Sequence, residues 1–260
     1  MAAQLNPAAV WGLLRELRAV MEDDKPLLVT GALAGSLEKE LGRGGSPNAV
    51  SSRGRIEDAA VLVRVLAGKP SDEDEAALRA ANRARVPVLA VQTAAESFDV
   101  PYVLATDVIA CRPGRGFPVE EIARAIAARM GETATSLAAR LPVLRDPVCD
   151  ALIDSFSRKN GILGAAIFIP GADFPVLTLN QVRLVLRLAS AYGIEIDQQR
   201  LPEIVGTVAA GFGLRAVARQ VLGAIPVAGW ALKGGIAYAG TRAIGEGARR
   251  YFATQVEAST

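Results

Sequence analysis

Two glycines behind an apolar run are the first residues in this chain whose spacing could do chemistry. In "LLVTGALAGSLEKEL", residues 27–41, Gly31 and Gly35 follow a short apolar stretch and lead into a helical pattern. Glycines so placed let successive backbone N–H groups converge on a phosphate, while a lysine neutralises the outer phosphate oxygens and a Ser or Thr hydroxyl holds magnesium. Here the loop continues Ser36, Leu37, Glu38, so leucine stands in the lysine position and a carboxylate follows it. Lys39 comes two positions late, roughly half a helical turn out of place. The spacing predicts a strand-to-helix turn around Gly31, Gly35 and Ser36 that binds no nucleotide.

The residue inventory removes other chemistries. The chain has no histidine, and with it go the commonest general base, the Ser-His-Asp and Cys-His nucleophile systems and the commonest zinc ligand. Cys111 and Cys149 are far apart with no CxxC pairing; they read as small buried hydrophobes in a reducing setting. Glu73, Asp74 and Glu75, and the pair Glu120/Glu121, are acidic enough to suggest a metal. Each cluster opens a helical pattern, where acids complement the helix dipole, so no metal is expected. "RPGRG", residues 112–116, could clamp an anion but reads as a surface loop. A formal charge of +2 makes no electrostatic demand for nucleic acid, and no cofactor is expected.

The elements that must position these residues fall into two halves. At 260 residues and 51% apolar content the chain can build one large domain or two ordinary ones. "NPAAVWGLLRELRAVMEDD" spaces Val10, Leu13, Leu14 and Leu17 as an amphipathic helix entered through Asn6-Pro7. Apolar strand patterns at 26–30, 59–66 and 86–93 then alternate with helical ones at 71–85 and 118–131, and residues 100–110 read as strand followed by loop. That alternation means βαβ units and a parallel sheet. Near residue 145 the pattern changes to helices alone, at 147–159, 162–169, 175–192, 201–214, 215–222 and 227–252. Glycine recurs there often enough to require close backbone packing in compensation. The expected division is 1–145, α/β with its N-terminal helix, and 146–260, an all-α domain rich in glycine and alanine.

In that second half, "IFIPGADFPVLTLNQVRLVLRLASAYGIEID" places Pro170 at a helix end, Asp173 as a cap and Gln181 at helical spacing from Leu177 and Leu184, with Arg183 and Arg187 on a more polar face. In "AIPVAGWALKGGIAYAGTRAIGEGARRYF", Ala231, Gly235, Ala239, Ala243 and Gly247 recur every fourth residue, a small-residue ridge that admits a neighbouring helix closely. From Ile204 to Phe252 the acids amount to Glu246, against Arg215, Arg219, Lys233, Arg242, Arg249 and Arg250. Basic punctuation of apolar helices suits an anionic lipid surface. The longest uncharged runs are too short and proline-broken for a spanning helix, and no signal peptide is read at the N-terminus.

Two resemblances follow from these residues. "EDAAVLVRVLAGKPSDEDEAALRAANRARVPVLAVQT" resembles the central block of Era-like small GTPases, and "VPYVLATDVIACRPGRGFPVEEIARAIAARMG" the last strand, loop and helix of that fold. The lysine of the phosphate loop is absent; so is the Asp-x-x-Gly switch, where Ser51-Ser52-Arg53 precedes Gly54, and so is the guanine-reading Asn-Lys-x-Asp, replaced by Gln92-Thr93-Ala94-Ala95. The resemblance implies a Rossmann-like, P-loop GTPase-type sheet that has lost its nucleotide site, a pseudo-GTPase. Pro170, Asp173, Leu177, Gln181, Tyr192-Gly193, Ile225-Pro226, Gly229, Thr241 and Gly245 resemble the uncharacterised helical family of YcjF-like bacterial inner-membrane proteins. That second likeness implies membrane association and no known reaction.

The expected function is a non-catalytic adaptor on the cytoplasmic side, peripheral to or embedded in the inner face of the cell membrane. It would meet an anionic membrane surface or a partner protein through its C-terminal helices, with homo-oligomers left open. The alternatives are a soluble interaction module, or a residual nucleotide-binding protein using Lys39, Arg43 and Arg53.

Overall fold

The computed structural model describes residues 7–112, 114–166, 174–194 and 230–259. The apolar runs form the expected sheet. Strands β1 (Leu27–Gly31), β2 (Val50–Ser51), β3 (Val61–Leu66), β4 (Val88–Gln92) and β5 (Val108–Ala110) lie in the order β2-β1-β3-β4-β5, with every pairing parallel. Every residue of β3 and β4 is buried, as strands covered on both faces must be. This is a doubly wound parallel order that switches direction between β1 and β3. In such sheets ligands bind beyond the carboxyl ends of the strands at the switch point.

Helices α2 (Ala34–Leu41), α3 (Asp72–Ala84), α4 (Val119–Met130) and α5 (Thr135–Arg140) complete this part. One sheet face carries Leu28, Leu62 and Leu66 against Leu78 and Ala81 of α3. The start of α3 is fixed by a capping box: Asp74 N–H donates to the Ser71 side chain and the Ser71 N–H donates back to the Asp74 carboxylate. Residues 100–110 reverse the expected order. Pro101 and a left-handed Tyr102 (φ 65°) prevent extension early in the segment, and the strand forms only at its end.

The remaining described helices are α1 (Pro7–Met21), α6 (Pro142–Ala166), α7 (Phe174–Ala191) and α8 (Trp230–Ser259). Residues 147–166, expected as a helix, a break and a second helix, belong to the single helix α6. Pro147 sits close to its start and forgoes one N–H bond, while Gly161 and Gly164 are kept for contact with α8. The helices expected at 201–214 and 215–222 lie outside the described residues.

The chain divides into two compact units, Asp23–Val148 and Met1–Glu22 with Cys149–Thr260. The N-terminal helix, expected with the α/β half, thus groups with the helices. Its Leu13, Leu14 and Leu17 form one core with Val182 and Leu186 of α7. No described helix is long and apolar enough to cross a membrane.

Candidate functional site

The carboxyl end of β1, where a phosphate loop would stand, runs close against the backbone of β3. Gly31 ends the strand at φ +93°, and a Cβ there would lie 2.2 Å from the Val65 carbonyl oxygen. Glycine is needed at this point for close approach to β3. The next residue, Ala32, donates its N–H to that same Val65 carbonyl at 3.0 Å. Only Ala32 and Leu33 separate β1 from α2, and Leu33 turns the chain in the left-handed region. Gly35, the expected second loop glycine, is already inside α2 and a Cβ there would meet nothing within 4 Å. Ser36 is exposed, with its N–H given to the Leu33 carbonyl. Leu37, in the lysine position, is fully buried and anchors α2. With the Ala32 N–H turned to Val65 and the Ser36 and Leu37 N–H groups turned to Leu33, this two-residue turn is shorter than the glycine-rich loop whose successive N–H groups wrap a phosphate.

Beneath Gly31 lies a charge that the sequence reading passed over. Arg64, in mid β3, is 6% exposed, and its Nε is 3.2 Å from where a Gly31 Cβ would be. Its Nε donates to Asp74 Oδ1 at 2.8 Å, and its Nη2 lies 2.7 Å from the same oxygen and 3.3 Å from Glu73 Oε1. Burial works to raise the Asp74 pKa; hydrogen bonds from the Ser71 N–H and hydroxyl, with the Arg64 guanidinium, outweigh it and hold the carboxyl below the usual range. The cation at the switch point is therefore neutralised from within. An arginine in an otherwise apolar strand, and four acids opening the next helix, were the available signals.

The other nucleotide positions have structural duties. Ser51 Oγ donates to the Arg53 carbonyl at 2.6 Å and accepts from the Arg53 N–H, closing the turn after β2 on itself. Gln92, 1% exposed, donates through Nε2 to the Phe98 carbonyl and accepts at Oε1 from the Ser97 hydroxyl. The end of β4 is thus tied to its own loop. Lys39, Arg43 and Arg53 are all exposed, as are Arg112 and Arg115 of the RPGRG turn. No cluster of potential metal ligands occurs among the described residues. Neither cysteine is in a disulfide, and burial, with Glu121 and Glu40 nearby, pushes the Cys111 thiol up and away from nucleophilic thiolate.

In the helical unit two residues that carried the family resemblance meet. Gln181 Nε2 donates to Thr241 Oγ1 at 3.3 Å, and the buried Asn160 of α6 donates to the same oxygen at 2.8 Å. Asn180 donates to Asn160 Oδ1, so α6, α7 and α8 share one polar knot. Around it the helices touch through glycine. A Cβ on Gly164 would fall 2.8 Å from Ala237 Cβ, one on Gly234 2.8 Å from the Gly161 carbonyl, and one on Gly245 2.8 Å from Ile153 Cγ1.

The packed stripe of α8 runs Gly234, Ala237, Thr241, Gly245, Ala248, Phe252, all buried. The expected ridge crosses it at a slant: Gly235, Ala239 and Ala243 are exposed while Gly247 is buried, Ala231 lies outside the residues whose side chains are described, and a Cβ on Gly235 would meet nothing within 4 Å among the described residues. A strict every-fourth pattern drifts about 40° per step around a helix, whereas alternating three and four stays on one face. Lys233 and Arg250 are exposed, and Arg249 donates to Asp150 of α6. Pro170, Asp173, Arg215 and Arg219 lie outside the described residues.

The i, i+4 arginines of α7 are committed to α1. Arg183 and Arg187 each donate through Nη2 to the carboxylate of Glu16, the latter at 2.8 Å. Arg187 is nearly buried there, at 4% exposure. Compared with protein families, with curated proteins and with solved structures, the chain shows no significant match.

Proposed function

We propose that this protein is a non-catalytic pseudo-GTPase adaptor. Its α/β unit would be the scaffold of an Era-like domain without a nucleotide site, and its helical unit would engage an anionic membrane surface or a partner protein. The single observation that carries the reading is the β1–α2 turn. Two residues stand where a phosphate cradle needs a loop, and Ala32 spends its N–H on Val65. Arg64, held by Asp74 and Glu73, adds that the cation at the switch point is engaged within the protein. The exposed basic residues on α8, Lys233 and Arg250, and the sequence resemblance carried by residues such as Gln181 and Thr241 to YcjF-like proteins support the second half. Calorimetry with GTP and magnesium should give no binding heat, and micromolar binding overturns the pseudo-GTPase reading. In lysates the chain should pellet with membranes and leave them in high salt.

A further inference from the structure

The contact between α1 and α7 has the composition of a covered lipid-binding face. The side of α7 under α1 presents Leu179, Val182 and Leu186 beside Arg183 and Arg187. An apolar stripe bordered by arginines is how an amphipathic helix lies in an anionic interface. Its opposite side, with Gln181 and Leu184, is engaged by α8, so losing α1 would leave that packing in place. The cover is one-sided. Leu13, Leu14 and Leu17 are buried and Glu16 reaches the arginines, while Arg15, Arg18 and Ala19 are exposed. It also satisfies Arg183 incompletely, for its Nε is buried without an acceptor among the described residues. The chain leaves α1 at Glu22 and re-enters this unit only at Cys149, so α1 can detach without disturbing the covalent path through α6, α7 and α8.

We propose that α1 is a latch over a membrane-binding face of α7. On an anionic bilayer, lipid phosphates take the place of the Glu16 carboxylate at Arg183 and Arg187, and the acyl boundary takes the place of the three leucines. Charge complementarity names the occupant, since the groups that Glu16 now neutralises are the ones an anionic surface attracts. This inference rests on the membrane-association reading above, and supplies for it a face built from described residues.

Vesicle co-sedimentation of the full chain tests both readings separately. Glu16→Gln keeps the side-chain shape and removes the competing charge. It should reach half-binding to phosphatidylglycerol vesicles at about five-fold lower lipid than wild type, the worth of roughly one basic residue at such a surface. Phosphatidylcholine vesicles should show no gain, and adding Arg183→Gln with Arg187→Gln should erase it. Without any variant, hydrogen exchange on wild type should show residues 12–21 losing protection on phosphatidylglycerol vesicles. If wild type and Glu16→Gln bind equally well, or residues 12–21 stay protected while bound, the latch is overturned and membrane association stands. If neither protein binds phosphatidylglycerol, both readings fall.

Discussion

Arg64 brings a full charge into a strand whose other residues are all apolar, and Asp74 is the group that makes this tolerable. Removing either partner alone should therefore have unequal effects. Asp74→Asn leaves a buried guanidinium facing only Glu73, whose side chain is 87% exposed, and should cost about 3 kcal/mol in urea unfolding. Arg64→Met keeps the stem and discards the charge, while Asp74 retains its Ser71 bonds; that change should stay within about 1 kcal/mol of wild type. The sign with pH follows from Asp74 being depressed in the folded state. Its contribution is complete above the unfolded carboxyl value near 3.9 and is lost as pH falls through the lower folded one. The Asp74→Asn penalty should thus be full at neutral pH and shrink below about pH 4; a penalty unchanged there would place its origin outside the ion pair. Both residues were visible in the sequence, one as a charge in "VLVRVL" and one in "SDEDE". Their union was not, because it depends on where α3 begins above β3. Leu37 was more legible: a leucine in place of lysine already removes the side chain that would neutralise phosphate oxygens, whereas its role as the buried anchor of α2 shows only in the fold.

At the scale of elements, strands were read well because a strand buried on both faces is simply an apolar run, as β3 and β4 are. The two-residue β2 carries too little pattern to be seen, and β5 was displaced by the turn at Pro101-Tyr102. Helix faces were harder. In α8 glycine and alanine crowd both sides, so hydrophobicity does not distinguish the packed stripe from the open one, and only the period of three and four does. The two sides should answer oppositely to the same substitution. Gly235→Ala adds a methyl that meets none of the described residues and removes a helix-interior glycine, and should stabilise the helical unit by up to about 1 kcal/mol. Gly245→Ala drives a methyl to within 2.8 Å of Ile153 and 3.1 Å of Leu184, and should cost about 1–3 kcal/mol despite the same gain in propensity. Paired thermal melts decide it. Equal shifts would mean that α8 meets its neighbours along a different stripe.

For the whole molecule, order along the chain is a poor guide to which elements fold together. The amphipathic pattern of α1 showed that it must bury Leu13, Leu14 and Leu17, yet an apolar stripe does not name what it is buried against. Proximity to β1 favoured the α/β half. The contacts place α1 on α7 instead, more than 150 residues away in sequence, with Arg183 and Arg187 both bound to Glu16. Meanwhile Arg140 draws the connecting residues into the α/β unit, donating to the carbonyls of Asp24 and Lys25 at 2.8 Å each. Helix and linker, though adjacent, are thus secured to different units. Cooperative opening should follow those contacts. With hydrogen exchange followed through increasing urea, residues 12–21 should lose protection together with α7 and α8. Residues 27–31 should lose it together with β3 and β4, at a denaturant concentration of their own. Glu16→Gln should shift the first transition and leave the second unmoved, because its partners among the described residues, Arg183 and Arg187, lie in the helical unit. Residues 12–21 opening in step with β1 would show instead that sequence adjacency, and not the leucine and carboxylate contacts, governs how the N-terminal helix is held.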